Sequence, residues 1–320
     1  MFIILKTHTF LLKNILERKN NSKLIKKYIG QILVLFAIVL WALSGPIAKY
    51  LYSHNFSSFT IIQTRSTFSF LVLLIICLVS FRQHLKIEVK GALKFMLLGV
   101  IGVAGSNFFY YTCIQYVTVS TGIMVQYTAP FFVMIFAIIA KQEKYHHLKL
   151  LFLSLAFVAC FFAVSGGDLS YFSINMTGVL LALASAVTWS FYNIYHKYIV
   201  KKKSLLTELF YILFGASLLW FIINPNIFAD IKDYPLQTNM ILFGFALLSV
   251  LFPFILYNYG LQYLKASQAT SIGLLEPVFV ALFAYLFIGE TLSPIQIVSA
   301  LCVLVSIYLL EYSRTKIDTV

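Results

Sequence analysis

Ten apolar stretches, each long enough to cross a bilayer as an α-helix, dominate this chain of 320 residues. A bilayer core about 30 Å thick needs roughly 20 helical residues, because each residue advances the helix by about 1.5 Å. The stretches are centred in residues 30–51, 60–81, 92–115, 119–140, 148–166, 175–198, 204–224, 239–263, 267–288 and 294–312. Membrane barrels would instead show alternating strands of about ten residues. The sequence therefore predicts an all-α membrane protein with ten transmembrane helices.

The composition excludes a soluble enzyme and a nucleic-acid-binding domain. Charged residues make up 11% of the chain and apolar residues 61%, whereas an average soluble domain has about 25% charged residues to cover its surface. The formal net charge of +13 is one-sided: with a cytoplasmic N-terminus, 21 of the 24 lysines and arginines fall on the cytoplasmic side. We therefore expect both termini in the cytoplasm, an inner-membrane location and no nucleic-acid partner.

The two halves of the chain repeat one another at a shift of 147 or 148 residues. The matches include Tyr110 with Tyr257, Ser120 with Ser267, Pro130 with Pro277, Glu143 with Glu290, Trp41 with Trp189, Lys49 with Lys197 and Tyr50 with Tyr198. Each unit contains five spans, an odd number, so the two units have opposite orientations in the membrane. The sequence thus predicts two inverted five-helix repeats, an arrangement that underlies alternating access in many secondary transporters.

The predicted domains follow from this repeat. Residues 1–28 are basic and form a cytoplasmic tail on anionic lipid, residues 29–166 and 167–312 form the two units, and residues 313–320 form a second cytoplasmic tail.

Three segments resemble those of a known family. They are Trp41–Pro46, Gln126–Pro130 continuing to Glu143, and Leu274–Pro277 continuing to Ser293. The chain is similar over residues 30–312 to EamA-domain proteins of the drug/metabolite transporter (DMT) superfamily. The resemblance implies ten helices in two EamA units and the transport of small metabolites. One departure is the first copy's Lys141-Gln142-Glu143, which lacks the turn glycine that the second copy has at Gly289.

Glu276 is the leading candidate for a functional group. It lies near the middle of the ninth stretch, immediately before Pro277, and proline leaves a backbone carbonyl one turn earlier without its helical donor. Burial favours the neutral form of such a carboxyl. Glu276 either carries a proton or meets a cationic group of the substrate, or it ties the ninth helix to a neighbour as a neutral acid. Its repeat counterpart is apolar Ala129, which slightly favours a functional role.

Other polar and aromatic residues at mid-span positions are candidates to line a path framed by helices 1, 3, 4, 6, 8 and 9. They are Trp41, Asn107, Tyr111, Gln126, Tyr127, Trp189, Asn193, Tyr257 and Asn258. The alternative for each polar group is an interhelical hydrogen bond. Four prolines are predicted to interrupt helices 1, 4, 8 and 9, namely Pro46, Pro130, Pro253 and Pro277. Interrupted helices at corresponding positions of two repeats indicate a binding site, and of these prolines only Pro130 and Pro277 correspond.

Two charged residues outside this set have simpler interpretations. Arg65 is expected to extend towards lipid headgroups, with capture of an anionic substrate group at the outer mouth as the alternative. Glu143 is expected to make local turn or capping hydrogen bonds. With one acid and no deeply buried cation at mid-membrane, strongly anionic substrates such as phosphate esters are disfavoured.

The glycines Gly99, Gly102 and Gly105 follow no strand and predict close helix packing rather than a nucleotide site.

The sequence therefore predicts a secondary transporter, and no enzyme, that moves a small organic metabolite across the cytoplasmic membrane by alternating access. Amino-acid-like, zwitterionic, aromatic or cationic substrates fit best, with proton coupling as an option. No motif for catalysis, ATP, a metal or a cofactor occurs. The alternatives are a lipid-handling flippase and a non-transport membrane scaffold. The sequence leaves both a monomer and a homodimer open.

Overall fold

Ten helices that can each cross a membrane make up most of the described chain, and we label them α1–α10. The computed structural model describes residues 24–44, 47, 50–51, 54, 56–172, 175–199, 203–232, 234–283, 285–286 and 291–317. The helices are Leu24–Ser44, Ser58–Ser80, Val89–Cys113, Ser120–Ile139, His147–Ser165, Met176–Tyr198, Leu205–Ile223, Leu236–Tyr263, Ala266–Phe283 and Pro294–Arg314. Their number and order confirm the predicted all-α fold. Pro46, Lys49, Glu290 and most of the basic tail lie outside the described residues.

Equivalent helices of the two halves pack against one another. The paired helices are α2 with α7, α4 with α9, and α5 with α10. The repeat partners Trp41 and Trp189 also meet, with ring centroids 5.8 Å apart. Such pairings of equivalent helices are what an inverted repeat with internal two-fold symmetry would produce.

Helix geometry departs from the regular α form at corresponding places in the two units. A π-helical segment lies at Leu98–Gly105 in α3 and at Leu247–Leu251 in α8. In α4 a turn separates Gln126 from the segment that begins at Ala129, and in α9 a 3-10 segment occupies Gly273–Leu275. Such distortions free backbone groups and recur at functional sites. The distortions in α3, α4, α8 and α9 therefore offer backbone groups that side chains or ligands can bind.

The three described prolines of the predicted interruptions lie at these distortions. Pro130 is in the first turn of the second segment of α4, and Pro253 is the second residue after the π segment of α8. Pro277 follows the 3-10 segment of α9.

The crossing of α3 and α7 requires glycine. A Cβ atom added at Gly99 would overlap the backbone carbonyl of Ile212, and one added at Gly215 would overlap the backbone of Met96. The two backbones therefore touch directly, which is the close packing predicted for the α3 glycines. This contact fixes α3 and the polar side chains that it carries.

The first and last helices begin and end on the same side of the bundle, which we call the terminal face; the opposite side is the distal face. Lys27 of α1 lies 3.5 Å from the carboxylate of Glu311 in α10, and Gln31 donates to the same carboxylate at 2.8 Å. Arg314 is 1% exposed and donates to the backbone of Ser267 and to the side chain of Ser271, each at 3.2 Å. These bonds join α1, α9 and α10 at the terminal face.

Candidate functional site

Aromatic rings from α1, α6 and α8 form a cluster where these three helices meet. The ring of Trp41 lies 5.8 Å from that of Trp189, 5.8 Å from Phe254 and 5.4 Å from Tyr257. Trp189 is stacked on Tyr192 with centroids 5.2 Å apart. Tyr192 and Tyr257 are fully buried, whereas both tryptophans are only half-buried. Because such ring pairs stabilise one another by about 0.5–1.5 kcal/mol each, the cluster holds the two indole rings in fixed positions.

Two phenol–amide hydrogen bonds support this cluster. The hydroxyl of Tyr257 donates to Asn193 at 2.6 Å, and that of Tyr192 donates to Asn258 at 2.7 Å. The side-chain NH₂ group of each asparagine donates to the backbone carbonyl four residues earlier in the same helix. All four side chains are buried. Asn193, Tyr257 and Asn258 therefore connect α6 to α8, which is the interhelical alternative considered for these residues.

Arg65 of α2 points into the bundle. One terminal nitrogen of its guanidinium donates to the hydroxyl of Tyr111 at 2.6 Å, and the other donates to the backbone carbonyl of Ser249 at 3.2 Å. Its central carbon lies 5.7 Å from the Tyr111 ring and 5.2 Å from the Phe245 ring, within cation–π distance. The expectation that Arg65 extends to the headgroups is wrong, because α3 and α8 offer it acceptors and aromatic faces inside the protein.

The carbonyl of Ser249 brings Arg65 and Trp41 together. The indole nitrogen of Trp41 donates to this oxygen at 3.0 Å, beside the bond from Arg65. In a regular α-helix the carbonyl of residue 249 would accept from the N–H of residue 253, but Pro253 has no N–H. The proline and the π segment before it thus free the acceptor that both side chains bind. Ser249, Phe254 and Tyr192 were missed from the sequence, although Pro253 was a usable signal for Ser249.

Glu276 lies among α4, α5 and α9. It is half-buried, and it is close enough to the Tyr127 hydroxyl and the Cys160 thiol to interact electrostatically with both. The Tyr127 hydroxyl is buried without a hydrogen-bond partner among the described residues, while Cys160 donates to the carbonyl of Leu274 at 3.1 Å. Glu276 therefore shares its region of the bundle with a hydroxyl, that of Tyr127, whose hydrogen-bonding capacity the described residues do not use.

The two remaining candidates use their amides within the protein. Asn107 donates to the carbonyl of Val103 in its own helix at 2.8 Å. Gln126 donates to the hydroxyl of Ser185 at 2.8 Å and so connects α4 to α6. Both side chains are half-buried, and their contact with a ligand stays a prediction.

A second polar cluster joins three parts of the chain at the terminal face. The carboxylate of Glu143, which is 7% exposed, accepts from the Tyr198 hydroxyl at 3.1 Å and from the Ser267 hydroxyl at 2.5 Å. Nearby, Lys197 donates to the carbonyls of Leu261 and Gln262 at 2.6 and 3.1 Å. The predicted local role of Glu143 is therefore wrong: its side chain connects the end of α6 to the start of α9. We call Glu143, Tyr198 and Ser267 the terminal-face contact.

Comparison with known proteins agrees with this architecture. The EamA-like transporter family matches residues 28–165 and 176–312. The uncharacterised inner membrane transporter YicL of Salmonella typhimurium is 22% identical over 295 residues, which cover 90% of this chain and 96% of that protein. The riboflavin transporter ImpX of Fusobacterium nucleatum is 28% identical over 206 residues, which cover 60% of this chain and 66% of that protein.

A solved crystal structure shares the fold. It aligns with a TM-score of 0.74 at 15% identity and covers 90% of this chain and 98% of its own. The family and the named relatives are transporters rather than enzymes. This chain is a multi-pass integral membrane protein, and it belongs to the EamA-like transporter family.

Proposed function

We propose that this protein is a secondary transporter that moves a small organic metabolite across the cytoplasmic membrane by alternating access, with Glu276 as the proton carrier. The observation that carries the proposal is the half-buried cluster of Trp41, Trp189 and Arg65 at the meeting of the two units, with Glu276 half-buried among α4, α5 and α9. The indole faces can pack against the flat or aromatic part of a substrate, and the charged groups of Arg65 and Glu276 can bind its polar groups. One relative is named a riboflavin transporter, and riboflavin is a flat aromatic metabolite.

Alternating access is supported by the inverted repeat and by the terminal-face contact. Glu143, Tyr198 and Ser267 join elements of both units at one face. Release of a substrate on that face requires these bonds to break. The repeat gives Tyr198 and Ser267 the equivalents Tyr50 and Ser120 in the other unit, so an exchange of roles between the two units would involve matched groups at opposite faces.

The proton role of Glu276 rests on its surroundings. Among the described residues no hydrogen bond or ion pair holds its carboxyl. A carboxyl at mid-membrane without a cation beside it is stable when neutral and ionises when water or a substrate cation reaches it. A change of environment between two conformations therefore couples proton binding to substrate movement. In the alternative role, the Glu276 carboxylate contacts a cationic group of the substrate directly, from the same position in α9.

The one-sided distribution of basic residues supports a cytoplasmic location for the terminal face. With that assignment, 21 of the 24 lysines and arginines face the cytoplasm, as the positive-inside rule requires.

The test is transport into proteoliposomes of a panel of amino acids, nucleosides and vitamins, with and without an imposed pH gradient. Glu276→Gln should abolish gradient-driven accumulation and keep exchange that does not need the gradient. Glu88→Gln, at an exposed carboxyl near the start of α3, is the matched control. Unchanged gradient dependence in Glu276→Gln would exclude the proton role. Failure of the whole panel, together with lipid translocation, would favour the flippase alternative.

A further inference from the structure

We infer that Arg65 is a carboxylate-binding subsite, and that the ligands of this protein are small aromatic compounds with one carboxylate, amino acids included. The inference rests on the proposed function only where transport is the readout. Binding itself can be measured whether or not the ligand is moved.

Arg65 carries a charge that the described protein does not neutralise. It lies seven residues after Ser58, the distal end of α2, hence about 10 Å of helix below that end. The salt bridges of the described residues involve Glu311 and Glu208, and none includes Arg65. Its hydrogen-bond partners, Tyr111 and the Ser249 carbonyl, are neutral. Ionisable groups within the membrane are rare and usually pair with an opposite charge, so a ligand is the natural source of the missing anion.

The guanidinium also has unused donors. An arginine presents five N–H groups in a planar fork that suits both oxygens of a carboxylate. Tyr111 and Ser249 use one N–H group on each terminal nitrogen, so each terminal nitrogen keeps a second N–H, while the Nε atom is buried and has no partner among the described residues. The fork therefore retains hydrogen-bonding capacity after its structural contacts are made.

The position of Trp41 indicates what the rest of the ligand is. Its indole nitrogen and the Arg65 guanidinium bind the same oxygen, that of Ser249, so the cation and the ring are immediate neighbours. Trp189 extends this aromatic surface. A carboxylate bound to Arg65 would thus place an attached ring against half-buried indoles.

The same charges limit the ligand class. Among the described residues, Arg65 is the cation that lies beside Trp41, and its single charge would only partly neutralise a phosphate ester with two negative charges. A purely cationic ligand would be repelled by Arg65. The inward position of Arg65 therefore corrects the expectation of no mid-membrane cation and favours monocarboxylates and zwitterions over cations.

The competing explanation is that Arg65 only connects α2 to α3 and α8. The two explanations differ in whether the effect of a substitution depends on the charge of the ligand. Three probes of similar shape separate them: L-phenylalanine is a zwitterion, 3-phenylpropionate is an anion, and L-phenylalaninamide lacks the carboxylate. Binding is measured by calorimetry on purified protein in nanodiscs.

We expect the wild type to prefer the two carboxylate probes over the amide. Arg65→Gln should weaken binding of both carboxylates by about 10- to 100-fold, the value of a charge-assisted hydrogen bond. Binding of the amide should be unchanged or stronger, because its ammonium group is no longer repelled by the Arg65 charge. Arg65→Lys keeps the positive charge but lacks the planar fork of donors, so it should lose less affinity for the carboxylates than Arg65→Gln does. Arg82→Gln, near the other end of the same helix where the side chain is exposed, is the matched control and should bind as the wild type does.

Several outcomes would overturn the inference. The first is an equal loss of affinity for the two carboxylates and the amide in Arg65→Gln. The second is that the wild type binds neither carboxylate. If Arg65→Gln does not fold, the third is that Arg65→Lys binds both carboxylates with the wild-type affinity. The transporter proposal fails separately: a wild type that binds carboxylates through Arg65 but moves none of them into proteoliposomes would refute transport and leave this subsite standing.

Discussion

Replacing Glu143 with glutamine should weaken the terminal-face contact and shift the protein towards a conformation open at that face. The carboxylate accepts hydrogen bonds from the Tyr198 hydroxyl, from the Ser267 hydroxyl and, at 3.4 Å, from the Ser267 backbone N–H. Hydrogen bonds to a charged group contribute about 1.5–3 kcal/mol each. Glutamine has a single acceptor oxygen, so we expect one bond to be lost. At about 1.4 kcal/mol per factor of ten, the ratio of closed to open molecules should fall by about 10- to 100-fold.

The assay is a distance distribution between spin labels at Lys144 and Lys203, which are exposed near this contact. The longer distances should gain population in Glu143→Gln. Gln142→Ala, which changes the exposed neighbouring residue, is the control and should leave the distribution unchanged. If Glu143→Gln and Glu143→Ala both keep the wild-type distribution in detergent and in nanodiscs, these bonds do not control opening and the reasoning is refuted.

Two further substitutions test how the site and the bundle are built. Pro253→Ala restores an N–H that competes for the Ser249 carbonyl, so carboxylate binding should weaken while the melting temperature stays the same or rises; unchanged binding would show that the freed carbonyl does not position Arg65. Gly99→Val forces a side chain into the backbone of Ile212 and should prevent a monodisperse protein on size exclusion, whereas Gly244→Val, with nothing within 4 Å of the added Cβ, should be tolerated. Equal behaviour of the two valine variants would contradict the direct contact of α3 with α7.

The aromatic and charged cluster depends on an irregularity in one helix. Ser249 lies in the π segment of α8, one turn before Pro253. Its oxygen is available to Trp41 and Arg65 because the usual helical donor is absent. The first unit has an equivalent π segment in α3, and its interruption in α4 matches the one in α9 of the second unit. A helix distortion, rather than a loop, thus supplies the carbonyl that Trp41 and Arg65 bind.

Arg65 and Glu143 show where sequence reasoning failed. Both lie near a predicted helix end, where extension to headgroups and local turn bonds are the usual behaviour of charged side chains. Their partners are far along the chain: Ser249 is 184 residues from Arg65, and Ser267 is 124 residues from Glu143. A one-dimensional pattern carries no information on such contacts unless the repeat is used as a guide.

The sequence by itself determined the ten spans, their all-α character and the inverted repeat, because the length and hydropathy of a span follow directly from bilayer thickness and an odd number of spans inverts the second unit. It also singled out Trp41, Trp189 and Glu276 by their residue types at mid-span positions. Only the tertiary structure decided which polar atoms remain available to bind a ligand. Asn193 and Asn258 are consumed by Tyr257 and Tyr192, whereas Arg65 retains unused donors. The reason is that hydrogen-bond satisfaction depends on which helices face one another, and several helix arrangements satisfy the same hydropathy pattern equally well.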